Sequence, residues 1–231
     1  MATEFQVEVS RKRHPSIGFI APFALFLLAL GSFSYLSLNP VWAAPLWFLI
    51  FVPICIVCWP REIPAWPKHW LASIGVGAGV FVLWIAPEVL IPGYRNSPLF
   101  SNSVFGHIHS SLSAAALHNR WVLTWRTARA VIIVPVVEEL FWRGWLMRWL
   151  IDNDFERVPL GKYAPFAFWV TAAMFASEHG PYWDVGLLTG VIYNFWMIRS
   201  RSLADCVLMH AVTNGALSAY VIAAGQWQYW Q

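Results

Sequence analysis

The stretch Glu138-Glu139-x-x-x-Arg143 places two adjacent carboxylates and a guanidinium inside an otherwise apolar run, residues 130–150. If that run is a membrane helix, each of these charges costs at least about 2.5 kcal/mol of insertion free energy. Charges retained at such a cost usually belong to a reaction, a transport path or a binding site. These three side chains are therefore the first candidates for chemistry.

Two further apolar stretches carry polar side chains. One ends in Ser177-Glu178-His179, and the other contains His210 and Asn214, which are four residues apart like Glu139 and Arg143. Residues at positions i and i+4 lie on one helix face, one turn apart. Polar faces of membrane helices turn away from lipid. We therefore expect the three helices to meet around one polar pocket.

The two glutamates are expected to differ in role. Glu139 can pair with Arg143 on its own helix face, so it should stay ionised and orient its neighbours. Glu138 lies about 100° round the helix and has no partner on that helix. It is therefore the carboxylate suited to take a proton from water and to return it later.

The other polar residues complete a hydrolytic site. His179 could share the water with Glu138, and His210 and Asn214 can donate hydrogen bonds to a developing oxyanion. Together these groups predict a hydrolase that attacks an amide bond with water and forms no covalent intermediate. Pro135 lies one turn before Glu138 and predicts a kink that loosens the helix at the site.

Each of these elements also has a purely structural interpretation. The Glu-Glu-Arg cluster could be an ion-pair network, and His210 could be a core histidine with satisfied hydrogen bonds. Asn214 could join two helices by a hydrogen bond, and Phe175 could be core packing. The conjunction of all these residues favours chemistry over the structural interpretation.

Composition indicates a membrane protein. Of 231 residues, 58% are hydrophobic and 12% are charged, whereas soluble domains carry about 25% charged residues. Sixteen Trp suit two membrane–water interfaces. The net charge of +3, without a basic stripe, excludes nucleic acid as an expected partner. Cys55 and Cys58 form C-x-x-C inside an apolar run, which favours buried thiols over a redox or metal site.

The hydrophobic runs predict an all-α fold, a polytopic transmembrane helical bundle of about seven to eight spans. It forms a single domain, residues 1–231, whose motif-bearing core covers about residues 125–225. The expected spans are residues 17–38, 44–59, 70–91, 125–151, 164–179, 184–198 and 203–224. Glu88 is expected at the membrane interface.

Basic residues predict the orientation. In a seven-span arrangement, four basic clusters fall on one side, at residues 11–13, 61–68, 148–162 and 199–201. Because cytoplasmic loops carry an excess of Lys and Arg, this predicts a multi-pass protein with a cytoplasmic N-terminus. Three arginines fall on the other side and weaken the argument: Arg120, Arg126 and Arg129.

Residues 92–120 are the longest weakly apolar stretch. They predict an extracytoplasmic loop with a short interfacial helix at about residues 110–117, and an additional short span is the alternative. His107, His109 and His118 match no compact metal-ligand spacing, so they are expected to be solvated.

Glu138-Glu139-x-x-x-Arg143, Phe175-x-x-x-His179 and His210-x-x-x-Asn214 together resemble the three motifs of the CPBP family. These are CAAX-processing and bacteriocin-processing intramembrane proteases related to the type II CAAX prenyl endopeptidase. The resemblance covers about residues 130–219. Residues 134–144, 210–214 and 225–228 are also similar to the bacterial branch associated with exosortase and PEP-CTERM protein sorting.

The resemblance implies a glutamate-dependent endopeptidase of the bacterial inner membrane. Glu138 and His179 would activate water, and His210 and Asn214 would form the oxyanion hole. Glu139 and Arg143 would support them. The implied partners are a peptide or protein substrate at the membrane, the lipid bilayer and exosortase-system proteins, with no cofactor.

Other chemistries remain open at this point. The chain has no H-E-x-x-H, so the zincin signature is absent, although a Glu with two His could still hold Zn²⁺. No G-x-S-x-G supports a serine nucleophile. A non-catalytic membrane assembly or immunity factor would use the cluster structurally. A proton or ion carrier is disfavoured, because no pair of broken helices recurs in two halves.

Overall fold

The computed structural model describes residues 14–36, 38–102, 106–108 and 110–230. Within these residues the chain is all-α and has no strand, although Asn102 and Gly106 form an isolated bridge. The basic residues 11–13 and His109 lie outside the described residues. The helices are α1 Ile17–Tyr35, α2 Pro40–Cys58, α3 Trp70–Leu90, α4 Ala114–Leu117, α5 Arg120–Ala128, α6 Val134–Glu139, α7 Met147–Trp149, α8 Pro165–Ser177, α9 Trp183–Ser200 and α10 Leu203–Ala224.

Three helices are long and apolar enough to cross a membrane: α2, α3 and α10. Two shorter apolar helical segments, Ile17–Phe33 and α8, do not reach that length. The all-α membrane fold is confirmed, and the count of seven to eight spans stays a prediction. In the described part of residues 92–120 the structure has only short helices, Tyr94–Asn96 and α4, so an additional span is not found there.

The helix that carries the two glutamates is wider than an α-helix on both sides of them. Residues 120–149 are continuously helical, but α5, α6 and α7 are separated by two π-helical segments, Arg129–Ile133 and Leu140–Leu146. We call residues 120–149 the composite helix. A kink was expected at Pro135; the structure has a π segment ending two residues before it, where Val134 N–H reaches back to the Arg129 carbonyl. Proline and π segments both interrupt the regular hydrogen-bond ladder, so the glutamates lie on a short α-helical stretch between two widened turns.

Several polar side chains are buried inside the bundle together with its apolar core, and many large apolar side chains are exposed on its outside. Large apolar side chains with more than a third of their surface exposed are found on α1, α2, α3 and α8, such as Leu28, Leu49, Val82 and Trp169. Buried polar residues include Ser73, Glu139, Arg143, Asn194, Asp205 and His210. A lipid-facing surface requires this distribution, because lipid offers no hydrogen bonds to polar groups.

The basic loops lie at one end of the bundle, which we call the basic end. The Asp205 carboxylate accepts hydrogen bonds from the backbone of Lys68 and His69 at 2.9 and 2.7 Å, which joins the start of α3 to the start of α10. Gly161 packs against Arg201 in the same region. Residues 61–68, 148–162 and 199–201 therefore share one end, as the seven-span arrangement predicts.

Helices α3 and α10 approach each other at Gly77. A methyl group on Gly77 would overlap the Met209 carbonyl oxygen and lie 2.9 Å from the Val212 Cβ. The Thr213 hydroxyl donates to the Gly77 carbonyl at 3.0 Å. This close contact sets the position of His210, which follows Met209 on α10.

Gly77→Ala is therefore expected to lower the free energy of unfolding by about 1–3 kcal/mol, because the added methyl forces α3 and α10 apart. Thermal unfolding of the detergent-solubilised protein measures the change. Gly79→Ala is the matched control, since a Cβ at Gly79 meets nothing within 4 Å. If both variants unfold at the wild-type temperature, the α3–α10 contact is not as close as described.

Candidate active site

Glu139 is the centre of a buried polar network. Its side chain is fully buried, and its Oε1 accepts a hydrogen bond from the Arg143 guanidinium at 3.1 Å. The same Oε1 lies 2.9 Å from Nδ1 of His210. The ion pair expected from the i,i+4 spacing is present. Through the contact with His210, the network also reaches α10, and this connection cannot be inferred from sequence spacing.

Arg143 links the composite helix to α8 and α9. Its Nε donates to the Asn194 side-chain oxygen at 3.1 Å, and Asn194 donates in turn to the Phe168 carbonyl at 2.8 Å. The guanidinium lies over the Phe175 ring at 4.6 Å and the Tyr193 ring at 5.3 Å. Arg143 is therefore fixed by hydrogen bonds and aromatic faces, and it supplies positive charge to a site with two carboxylates.

His210 is buried and oriented by Glu139. An ionised carboxylate can only accept hydrogen bonds, so the contact assigns a proton to Nδ1 of His210. In the neutral ring, Nε2 then carries a lone pair. In the protonated ring, Nε2 becomes a donor and Glu139 stabilises the positive charge. The ring packs 5.2 Å from Tyr193, which limits its rotation.

His179 lies just beyond α8, which ends at Ser177. Its Nδ1 is 2.8 Å from the Phe175 carbonyl, so Nδ1 carries the proton and Nε2 presents a lone pair. The ring is 5.3 Å from Trp84 and 4.7 Å from Phe175, and Gly186 leaves it room on the α9 side. A histidine held in this way can accept a hydrogen bond from water at Nε2.

Glu138 is the less buried of the two adjacent carboxylates. It interacts electrostatically with His210 and Arg143, and also with Glu178 at the exposed end of α8. His179 in turn interacts with His210 and Arg143. Glu138 and both histidines therefore belong to one electrostatic cluster with Glu139 and Arg143.

Asn214 bridges α10 and the composite helix. Its side-chain amide donates to the Ala130 carbonyl at 2.8 Å, within the first π segment. This bond uses one of the two amide N–H groups, and the other remains as a donor. The interhelical role weighed for Asn214 from sequence is therefore present.

Residues 119–216 match the family model described as type II CAAX prenyl endopeptidase Rce1-like. This Rce1-like segment covers less than half of the chain and runs from the composite helix into α10, so it contains all six predicted site residues. No curated protein and no solved structure matches the chain. The match indicates a peptidase of this kind, and the long apolar helices indicate a membrane location.

Sequence reasoning missed several residues of the Rce1-like segment. Asn194 and Tyr193 hold Arg143, and the carboxylate of Glu178 interacts with the Trp142 indole. Asn194 had a usable signal, because it is a lone amide in the apolar run of α9. Phe175, quoted as part of a motif and interpreted as core packing, contacts both histidines and Arg143, so its packing connects the three motifs.

A second buried cation lies outside the Rce1-like segment. Arg95 is 4% exposed and pairs with Glu88 at 2.7 Å and Asp184 at 2.8 Å. It also donates to the Pro181 carbonyl at 2.7 Å. Glu88, expected at the interface, is therefore half-buried in an ion pair. This network fixes the turn that follows His179.

A metal centre was weighed from sequence. Among the described residues, no group of three or more His, Cys, Asp or Glu side chains could hold a metal ion. The alternative in which a Glu and two His bind Zn²⁺ therefore has no assembled ligand set in this arrangement. The two thiols of the C-x-x-C of α2 are partly buried.

Proposed function

We propose that the protein is an intramembrane endopeptidase that hydrolyses peptide bonds with water activated by Glu138 and His179. The observation that carries the proposal is the Glu139 Oε1 atom, which contacts both Arg143 and His210 beside Glu138. A structural ion pair needs only Glu139 and Arg143. The additional oriented histidine and the adjacent, more accessible carboxylate are what a hydrolytic site requires.

The proposed reaction begins with a water between Glu138 and the Nε2 lone pair of His179. Glu138 takes a proton as the water oxygen attacks the substrate carbonyl, giving a tetrahedral intermediate with a negative oxygen. Protonated His210 donates from Nε2 to that oxygen, and Asn214 donates its second N–H. When the C–N bond breaks, Glu138 returns the proton to the leaving amine, so no atom of the enzyme is consumed.

Glu139 and Arg143 act through His210 in this mechanism. The Glu139 carboxylate accepts a hydrogen bond from Nδ1 of His210 at 2.9 Å, and this charge-assisted bond fixes the orientation of the ring. Arg143 balances the charge of Glu139, so the cluster does not bury an uncompensated carboxylate. Both are positioning residues, since neither needs to touch the substrate.

We further propose that the substrates are membrane-associated proteins or C-terminal sorting peptides, in a bacterial inner membrane with the N-terminus cytoplasmic. The similarity of residues 134–144 to the exosortase-associated branch supports the substrate class. The shared basic end of the bundle supports the orientation. Exosortase-system proteins would then be partners.

The test is peptide cleavage by the detergent-purified protein, with membrane-associated and C-terminal sorting peptides as substrates and mass spectrometry of the products. Wild type is expected to cleave, and His210→Ala to cleave about 10²–10³-fold more slowly, because an oxyanion donor is lost. His118→Ala is the control, since His118 is exposed and precedes the start of the composite helix, 20 positions before Glu138.

Two outcomes would decide against this proposal. If His210→Ala cleaves as fast as wild type, the mechanism is wrong. If no peptide is cleaved and His210→Ala still complements a deletion strain, a non-catalytic assembly or immunity role is favoured. Cleavage that stops under strong chelation and returns with Zn²⁺ would replace the metal-free mechanism with a zinc mechanism.

A further inference from the structure

A cavity of about 630 Å³ lies between α1, α2 and α5, at the end of the bundle opposite the basic end. Most of its wall is apolar and includes Leu30, Phe33 and Trp47. Arg126 and Arg129 also line it. Both belong to the three arginines that the seven-span arrangement places on the side opposite the basic clusters.

The two arginines share one helix face and are partly buried. The Arg129 guanidinium lies 4.5 Å over the Trp47 ring, and Arg126 lies 5.1 Å over the Trp230 ring. Their positive charges act on each other. Among the ion pairs of the described residues, none involves Arg129. An anion in this apolar cavity would be attracted by the Arg129 guanidinium and by the second cation beside it.

The walls indicate the kind of anion. Helices α1 and α2 carry many exposed apolar side chains, and Leu30 and Leu38 at the cavity are each more than a third exposed. A ligand that enters from this side must be apolar along most of its length and negative at one end. Arginine guanidinium groups bind phosphate through paired, charge-assisted hydrogen bonds.

We propose that this cavity binds an anionic phospholipid, with its phosphate on Arg126 and Arg129 and an acyl chain against α1 and α2. The proposal does not depend on the peptidase activity. It gives a reason for cations at the end opposite the basic end, because loops on the extracytoplasmic side usually carry few Lys and Arg residues.

The test uses the full-length protein in neutral detergent and adds phosphatidylglycerol, phosphatidylcholine, or glycerol phosphate, which lacks the acyl chains. Binding is measured by native mass spectrometry and by the shift in melting temperature. Phosphatidylglycerol is expected to bind and raise the melting temperature, and the other two compounds to bind at least about tenfold more weakly, because each lacks net charge or chain.

Variants locate the site. Arg126→Gln/Arg129→Gln is expected to weaken phosphatidylglycerol binding by about tenfold or more. Arg126→Lys/Arg129→Lys keeps the charge and is expected to retain most of the binding, which separates loss of the site from loss of the fold. Arg120→Gln is the matched control, because Arg120 is exposed on the same helix and does not line the cavity.

Three results would overturn the proposal. One is equal binding of phosphatidylglycerol and phosphatidylcholine, and another is glycerol phosphate binding as tightly as the lipid. The third is a double Gln variant that binds lipid normally but shows a raised KM for a peptide with a free C-terminal carboxylate. That third result would assign the cavity to the substrate peptide.

Discussion

Glu138→Gln is expected to lower kcat for peptide hydrolysis by about 10²–10⁴-fold without lowering the melting temperature. Glutamine keeps the size and polarity of the side chain but cannot take a proton from water. Glu138 is only partly buried, and none of the side-chain hydrogen bonds found among the described residues joins it to another helix, so the fold should tolerate the change. Initial cleavage rates at saturating peptide, with thermal unfolding in parallel, measure both quantities.

Glu139→Gln is the matched comparison for this prediction. It leaves an amide oxygen that can accept from Arg143 and His210, but it removes the negative charge between two buried cation-forming groups. Both the melting temperature and kcat should therefore fall. If Glu138→Gln is the variant that unfolds early while Glu139→Gln loses only activity, the assignment of the two glutamates is reversed.

Arg143→Met is expected to lower the free energy of unfolding by about 3–5 kcal/mol. Methionine fills the space of the arginine stem, but it leaves the Glu139 carboxylate buried at 0% exposure without its cation. It also removes the donor to Asn194, whose side-chain oxygen would lose its partner inside the bundle. Denaturant or thermal unfolding in detergent, followed by Trp fluorescence, measures the loss.

Arg157→Met is the control for Arg143→Met. Arg157 pairs with Asp154 at 2.7 Å, but its side chain is 81% exposed, so the change should cost less than about 1 kcal/mol. A double substitution of Glu139→Leu and Arg143→Met should recover part of the stability, because it removes both charges together. Equal stabilities of Arg143→Met and Arg157→Met would contradict the buried network.

The match to the Rce1-like family model and the site geometry are independent of each other. The match covers residues 119–216 and says nothing about which atoms meet. The structure shows that Glu139, Arg143 and His210 form one hydrogen-bonded network, with Glu138 and His179 in electrostatic contact with it. In the proposed mechanism, the family match supports peptide hydrolysis as the reaction, and the geometry of the site supports the role assigned to each residue.

Most helices and the pairs of side chains within one helix follow from the amino-acid sequence alone. Hydrophobic runs are local, so residues 203–224 were predicted as a span and α10 has those bounds. The Glu139–Arg143 pair was also predictable, because side chains at positions i and i+4 lie next to each other on a helix. The motif residues could be chosen for their chemical types, since ionisable groups in apolar runs are rare.

How the helices face one another depends on their packing in three dimensions, which local sequence patterns do not give. His210 and Glu139 are 71 positions apart, and their contact depends on the rotation and depth of α10, which Gly77 and Thr213 set. Two other hydrogen bonds depend in the same way on how neighbouring helices pack. They join Asn194 to Arg143 and Asn214 to the Ala130 carbonyl. The π segments beside Glu138 and Glu139 change the rotation per residue, so uniform helical spacing could not give their partners on other helices.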